Sequence, residues 1–190
     1  MSMIFLLFFL VSTPVALAAG PTLLMAPTSE TIPNNGTKTF TININTADQQ
    51  IFGADAVITY NPQALEVTAV TKGVFFTDFN SAKDNTAGKL ELHGYFGTLD
   101  DYRSGSGVLG TFVVKAKKDS GNATISVICN ASANTSQVIN KNGNNVLPCT
   151  GVNETTVAMV NSSGATPTPT PMGTGGNIPP SCNGLSVSPT

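Results

Sequence analysis

The chain has 190 residues, with 9 Lys or Arg against 11 Asp or Glu, so its net charge is −2. So few cations cannot neutralise a run of phosphates, which excludes a polybasic nucleic-acid binder; 41% hydrophobic residues at low charge exclude a disordered chain. One histidine, three cysteines and no tryptophan leave little material for a His-based triad or a His-rich metal site, so neither catalysis nor a cofactor is expected.

The first element is a leader. Ile4 to Val11 is an uninterrupted apolar run, Pro14 breaks it, and Ala16-Leu17-Ala18 has the small-x-small pattern of a cleavage site. Residues 1–19 therefore read as a signal peptide, although no Lys or Arg precedes the apolar run. The rival reading is an uncleaved anchor, but about 16 apolar residues with an internal proline is short for a bilayer span. No second apolar run follows, so the mature fragment is expected to be secreted or held at the cell surface, without a membrane span.

From Leu23 the dominant period is two. Phe40, Ile42 and Ile44 alternate with Thr39, Thr41 and Asn43 in a strand over 37–46. Ala54, Ala56, Ile58 and Tyr60 alternate with Gly53, Asp55, Val57 and Thr59, and Asn61-Pro62 ends that strand. Further strands are predicted over 65–71, ending at Lys72-Gly73, and over 89–96. The segment 108–117 is apolar on both sides and reads as a central strand. Strands over 123–129 and 155–160 follow, with a small hairpin over 137–147 turning at Asn142-Gly143. No stretch carries a 3.6-residue period. The pattern predicts an all-β, nine-stranded jelly-roll sandwich over 20–160.

The composition then changes. The stretch 161–181 contains Thr166-Pro167-Thr168-Pro169-Thr170-Pro171 and a glycine-rich segment. Proline keeps such a backbone extended and glycine restores flexibility, so this reads as an inter-module linker with sites for O-linked glycans. Residues 182–190, with Leu185-Ser186-Val187-Ser188-Pro189, resemble the first strand of a further β-domain, as in a piece of a longer surface protein; the bland alternative is a disordered end.

Two segments carry a family resemblance. Ile51-Phe52-Gly53-Ala54-Asp55-Ala56-Val57-Ile58-Thr59-Tyr60-Asn61-Pro62, followed by Leu65-Glu66-Val67 and the Lys72-Gly73 turn, resembles the signature of cohesin domains. Gly105-Ser106-Gly107-Val108-Leu109-Gly110-Thr111-Phe112-Val113-Val114-Lys115-Ala116 is similar to a later segment of the same family. The resemblance covers roughly residues 22–160. Read physically, Pro62 fixes the strand exit, Asn61 caps the turn, and Leu65 and Val67 return to the core.

The resemblance implies a non-catalytic module that docks a dockerin-type protein partner, carried by an enzyme or a surface protein, and a link to polysaccharide degradation. It places the docking face on the strand 53–60, whose outward set is Gly53, Asp55, Val57 and Thr59, with Asp55 as a polar contact. If the leucines of 89–96 point inward, Glu91 and His93 join that face.

Other chemistry fares less well. Asp100 and Asp101 are adjacent, whereas glycoside hydrolysis needs two acids across a cleft. Asp78, Asp84, Asp100 and Asp101 lack the dense spacing of a calcium loop, so no metal site is predicted. His93 has no nucleophile motif beside it, and Lys115, Lys117 and Lys118 read as solubilising edge charges. Cys129 and Cys149 are expected to form a disulfide closing the excursion between them, leaving Cys182 over. Sequons stand at Asn35, Asn122, Asn130, Asn134, Asn153 and Asn161. The rival readings are a carbohydrate-binding module that grips a polysaccharide with a line of exposed aromatics, for which Phe75, Phe76, Phe79, Tyr95 and Tyr102 are the available residues, and a structural spacer or adhesin domain.

Overall fold

Strands with alternating apolar residues have one face to bury, and two such sheets can bury each other. The computed structural model describes residues 20–98, 100–130 and 135–161. The leader, the linker beyond residue 161, the stretch 182–190 and Asn134 lie outside the described residues. Among the described residues eleven strands form: β1 Thr22–Ala26, β2 Ser29–Pro33, β3 Thr37–Asn45, β4 Ile51–Tyr60, β5 Leu65–Lys72, β6 Asp78–Asp84, β7 Lys89–Tyr95, β8 Ser106–Ala116, β9 Gly121–Val127, β10 Gln137–Asn140 and β11 Glu154–Val160. The sole helical piece among the described residues is a 3-10 turn, Cys149–Gly151.

One sheet has the order β1-β3-β8-β5, so β8 is indeed interior. The other runs β2-β11-β9-β4-β7-β6, with β10 also paired to β4. The class matches the expected sandwich, with eleven strands in place of nine. Three strands escaped the sequence pattern. Pro27 lies between β1 and β2, which have five residues each, and β6 (Asp-Phe-Asn-Ser-Ala-Lys-Asp) is mostly polar and exposed. The expected hairpin over 137–147 is half present: β10 forms, but its return arm is reduced to a single bridge, Ile139 to Asn145.

The core sits between the sheets. Phe40 and Phe112, opposite each other on β3 and β8, stack with centroids 5.7 Å apart. Ile58, Leu90, Leu92, Ile125 and Val157 face them from the second sheet, all fully buried. Burying such side chains stabilises the fold by roughly 1.5–3 kcal/mol each before entropy is counted. Phe75 and Phe76 are buried in the same cluster, which removes them from any aromatic patch on the surface.

Turn chemistry follows the residues. Asn61 Oδ1 accepts from Gln63 N, and its carbonyl accepts from Ala64 N and Leu65 N, so the chain reverses directly into β5. Gly73 passes so close to β8 that a Cβ would lie 2.0 Å from the Val108 carbonyl oxygen. Gly88, at φ +68°, closes the β6–β7 turn. Tyr60 donates from its hydroxyl to Asn85 Oδ1 at 2.6 Å, and Asn85 also bonds both backbone groups of Val67. Burial raises the Tyr60 phenol above its ordinary pKa.

The two N-terminal strands join different sheets: β1 pairs antiparallel with β3, and β2 parallel with β11. Asn153, just before β11, ties this crossing together. Its Oδ1 accepts from Met25 N at 2.6 Å and its Nδ2 donates to Met25 O at 2.9 Å, while buried Thr155 donates to Pro27 O. Asn153→Ala should therefore cost about 2–3 kcal/mol, the sum of two modest bonds and two stranded backbone groups. Urea denaturation of the variant against the parent chain measures this.

Candidate functional site

β4 is the axis of the second sheet, and its two faces differ in chemistry. Ala54, Ala56, Ile58 and Tyr60 point into the core. Gly53, Asp55, Val57 and Thr59 point the other way, in register with Tyr95, His93, Glu91 and Lys89 of β7. Opposite β7, β6 places Asp78, Asn80, Ala82 and Asp84 on the same surface. Leu90 and Leu92 are buried, so Glu91 and His93 are outward, as the one-sided strand requires.

Of the six expected face residues, Asp55, Thr59, Glu91 and His93 reach the surface. Val57 is on the face but only 4% exposed, and buried Gly53 presents backbone alone. The structure thus brings all six together on one surface, with two of them lacking an exposed side chain.

A polar row runs through the middle. His93 Nδ1 lies 2.8 Å from Asp55 Oδ1. A carboxylate can only accept, so Nδ1 carries the proton and donates. Lys89 Nζ sits 2.5 Å from Glu91 Oε1, and Glu91 Oε2 is 3.9 Å from His93 Nε2. These groups are a quarter to two-fifths exposed, and such pairs contribute only about 0–1 kcal/mol each; they orient one another rather than hold the fold. At one end of the row, buried Gly53 stands in register between Tyr95 of β7 and Ile139 of β10 and presents backbone only. Tyr95 is 42% exposed.

The other edge of β4 is shared. β9 pairs with it over Ile58–Tyr60 and β10 over Ile51–Asp55. Fully buried Ser136 closes the gap between them: Val57 N donates to Ser136 Oγ at 2.9 Å, and Val57 O accepts from Ile128 N at 2.8 Å. β10 adds Gln137 and Ile139 to the face, a contribution with no local sequence signal because it rests on pairing across some 85 residues of chain. Cys129 and Cys149, bonded with Cα atoms 5.1 Å apart, bracket this excursion.

The remaining candidates are dispersed. Asp78 and Asp84 occupy the two ends of β6, about 20 Å apart by strand rise. Asp100 and Asp101 are exposed on a loop, and among the described residues no group of three metal-ligating side chains converges. Arg103 donates to Phe75 O at 2.8 Å and lies over the Phe75 and Phe96 rings, so it pins the loop. Among the sequons, Asn35 and Asn122 are exposed, whereas Asn153 is committed to Met25.

The arrangement defines a class: a two-sheet jelly-roll module with a broad, open sheet face. The family model for the cohesin domain matches residues 26–158, and the chain belongs to the cohesin family. Comparison with curated proteins finds no match. Among solved structures, the chain is similar to a type I cohesin–dockerin complex of Clostridium thermocellum, with a TM-score of 0.61 at 14% identity over 75% of this chain and 100% of that one. A type II cohesin of Acetivibrio cellulolyticus gives 0.59 at 16%, over 73% and 95%. A non-cellulosomal cohesin of the archaeon Archaeoglobus fulgidus gives 0.55 at 15%, over 75% and 93%. At these identities the likeness is one of fold.

Two outcomes follow from this geometry. Replacing Cys129 and Cys149 by Ser should cost about 3 kcal/mol, the loop-closure value for a separation of 20 residues, and should raise amide exchange in β10 first. Asp84 Oδ1 accepts from Ala87 N and Thr86 N, and these bonds, Ala87 first, hold its carboxyl below the usual carboxylate range. Its folded pKa is lowered, so its contribution is present above the unfolded value and lost as pH falls through the folded one. Asp84→Asn should flatten the acid limb of the stability profile, read by thermal melts between pH 2 and 7.

Proposed function

We propose that this chain is a non-catalytic, extracellular docking module that binds a dockerin-type partner through the outward face of β6, β7, β4 and β10. The observation that carries the reading is the surface of Asp55, His93 and Glu91, held in fixed register on the central strands of a cohesin-family sandwich. A rigid sheet presents these groups without a folding cost on binding, which is what preorganised recognition requires. The solved relatives include cohesins in complex with dockerins, which supports the same class of partner here. A leader over 1–19 and a Thr/Pro/Gly linker over 161–181 fit a module exported as part of a larger scaffold or surface protein. A partner carried on a polysaccharide-degrading enzyme would link the chain to that process.

The test is capture. The full chain, immobilised, should retain a dockerin-bearing protein from the secreted proteins of its source. Asp55→Lys should abolish that retention while leaving the far-ultraviolet circular dichroism and the melting temperature unchanged, because Asp55 is part-exposed and outside the core. Retention on insoluble polysaccharide that Asp55→Lys does not affect would overturn the reading.

A further inference from the structure

The Asn-x-Ser/Thr sequons are not equivalent in the fold. Transfer of a sugar to such a sequence needs the asparagine amide and the hydroxyl two residues on to be open together, because one catalyst holds both. Three sequons have both groups among the described residues: Asn35 with Thr37, Asn122 with Thr124 and Asn153 with Thr155. The last is closed. Asn153 spends both ends of its amide on Met25, and Thr155, 0% exposed, donates to Pro27 O. A sugar on Asn153 Nδ2 would compete with the bond to Met25 O.

The other two are open. Asn122 and Thr124 are exposed residues of β9 on either side of buried Ala123, so the amide and the hydroxyl point to the same side of the sheet. Asn35 sits in the β2–β3 turn at φ +62°, a conformation asparagine tolerates better than most residues. Gly36 N to Pro33 O closes that turn, and Asn35 N donates to Ala116 O, which leaves the exposed Asn35 and Thr37 side chains facing solvent from a fixed backbone. Both sites lie at one end of the sandwich. Asn34 N donates to Val160 O and Asn122 pairs with Ala158, so they flank the last residues of β11.

We propose that Asn35 and Asn122 are N-glycosylation sites, modified as the chain is exported; the inference rests on the extracellular location in the reading above. The donor class is an oligosaccharide carried on a polyprenyl phosphate or diphosphate. Asparagine Nδ2 forms the new bond to the anomeric carbon, and the bond from that carbon to the phosphate oxygen breaks. The lipid phosphate leaves with the electron pair, and one Nδ2 proton passes to solvent. The placement leaves the docking surface usable. Thr59 and Ser126 are in register, so Asn122 shares the outward surface with Asp55, but the two lie four residues to opposite sides of that pair. That separates them by about 26 Å along the strands. A bulky hydrophilic chain on Asn122 therefore bounds the far end of the face without covering Asp55 and His93.

The experiment is glycopeptide mass spectrometry of the full chain expressed in its source organism and recovered separately from the culture fluid, the cell surface and the cytosol. Peptides carrying Asn35 and Asn122 should bear a glycan mass, and the peptide carrying Asn153 should not. Thr37→Ala and Thr124→Ala keep each asparagine, and the Asn35 turn, yet each should remove one glycan, whereas Thr37→Ser and Thr124→Ser should retain it. Unmodified Asn35 and Asn122 on a chain recovered outside the cytosol would overturn the inference and leave the docking reading standing. A glycan on Asn153 of a chain that melts normally would overturn it as well. A chain confined to the cytosol would overturn the glycans and the extracellular reading together.

Discussion

The structure depends on satisfying both edges of β4. A strand at the centre of a sheet cannot leave N–H and C=O groups unpaired, and β4 is ten residues long, too long for any single short neighbour on its second edge. β7 covers one edge over Gly53–Thr59, and Arg103 bridges to Ile51 beyond it. The other is divided between β9 and β10, with the Ser136 hydroxyl bonding Val57 where neither strand reaches. That solution keeps β4 interior to the sheet. It also makes β10 part of the sheet, and the Cys129–Cys149 disulfide closes the Asn-rich stretch that carries it.

From a satisfied β4 the candidate site follows by alternation. The inward set, Ala54, Ala56, Ile58 and Tyr60, is buried in the core. The outward set inherits a fixed register against β7, so Asp55 meets His93 and Val57 meets Glu91 without any loop to position them. Sites built on strands hold their geometry better than sites on loops, and a broad sheet face suits an elongated partner better than a small molecule.

Much of this was legible in the residues. Strict alternation in Phe40–Ile44 and Ala54–Tyr60 announced half-buried strands, and Asn61-Pro62 announced the turn, because period and turn chemistry are local. β6 was not legible: its sequence has no apolar stripe, and it forms because β7 offers a ladder and Phe79 packs against the core. The outward orientation of Glu91 and His93 could be read from Leu90 and Leu92. Val57 could not be recognised as buried, nor Gln137 and Ile139 as neighbours of β4, because both depend on pairing between distant segments. The turn residues Asn142 and Gly143 signalled a hairpin correctly in place, but the partner of its first arm turned out to be β4.

The central claim is that the face centred on β4 and β7, rather than the Thr-rich face of the opposite sheet, meets the partner. A nuclear magnetic resonance titration of the isotopically labelled chain with a dockerin tests it most directly. Shift changes and line broadening should concentrate on the side chains of Asp55, His93, Tyr95, Gln137 and Ile139. Changes concentrated instead around Leu24, Thr41, Val108 and Thr111, on the outward face of β1, β3 and β8, would contradict it.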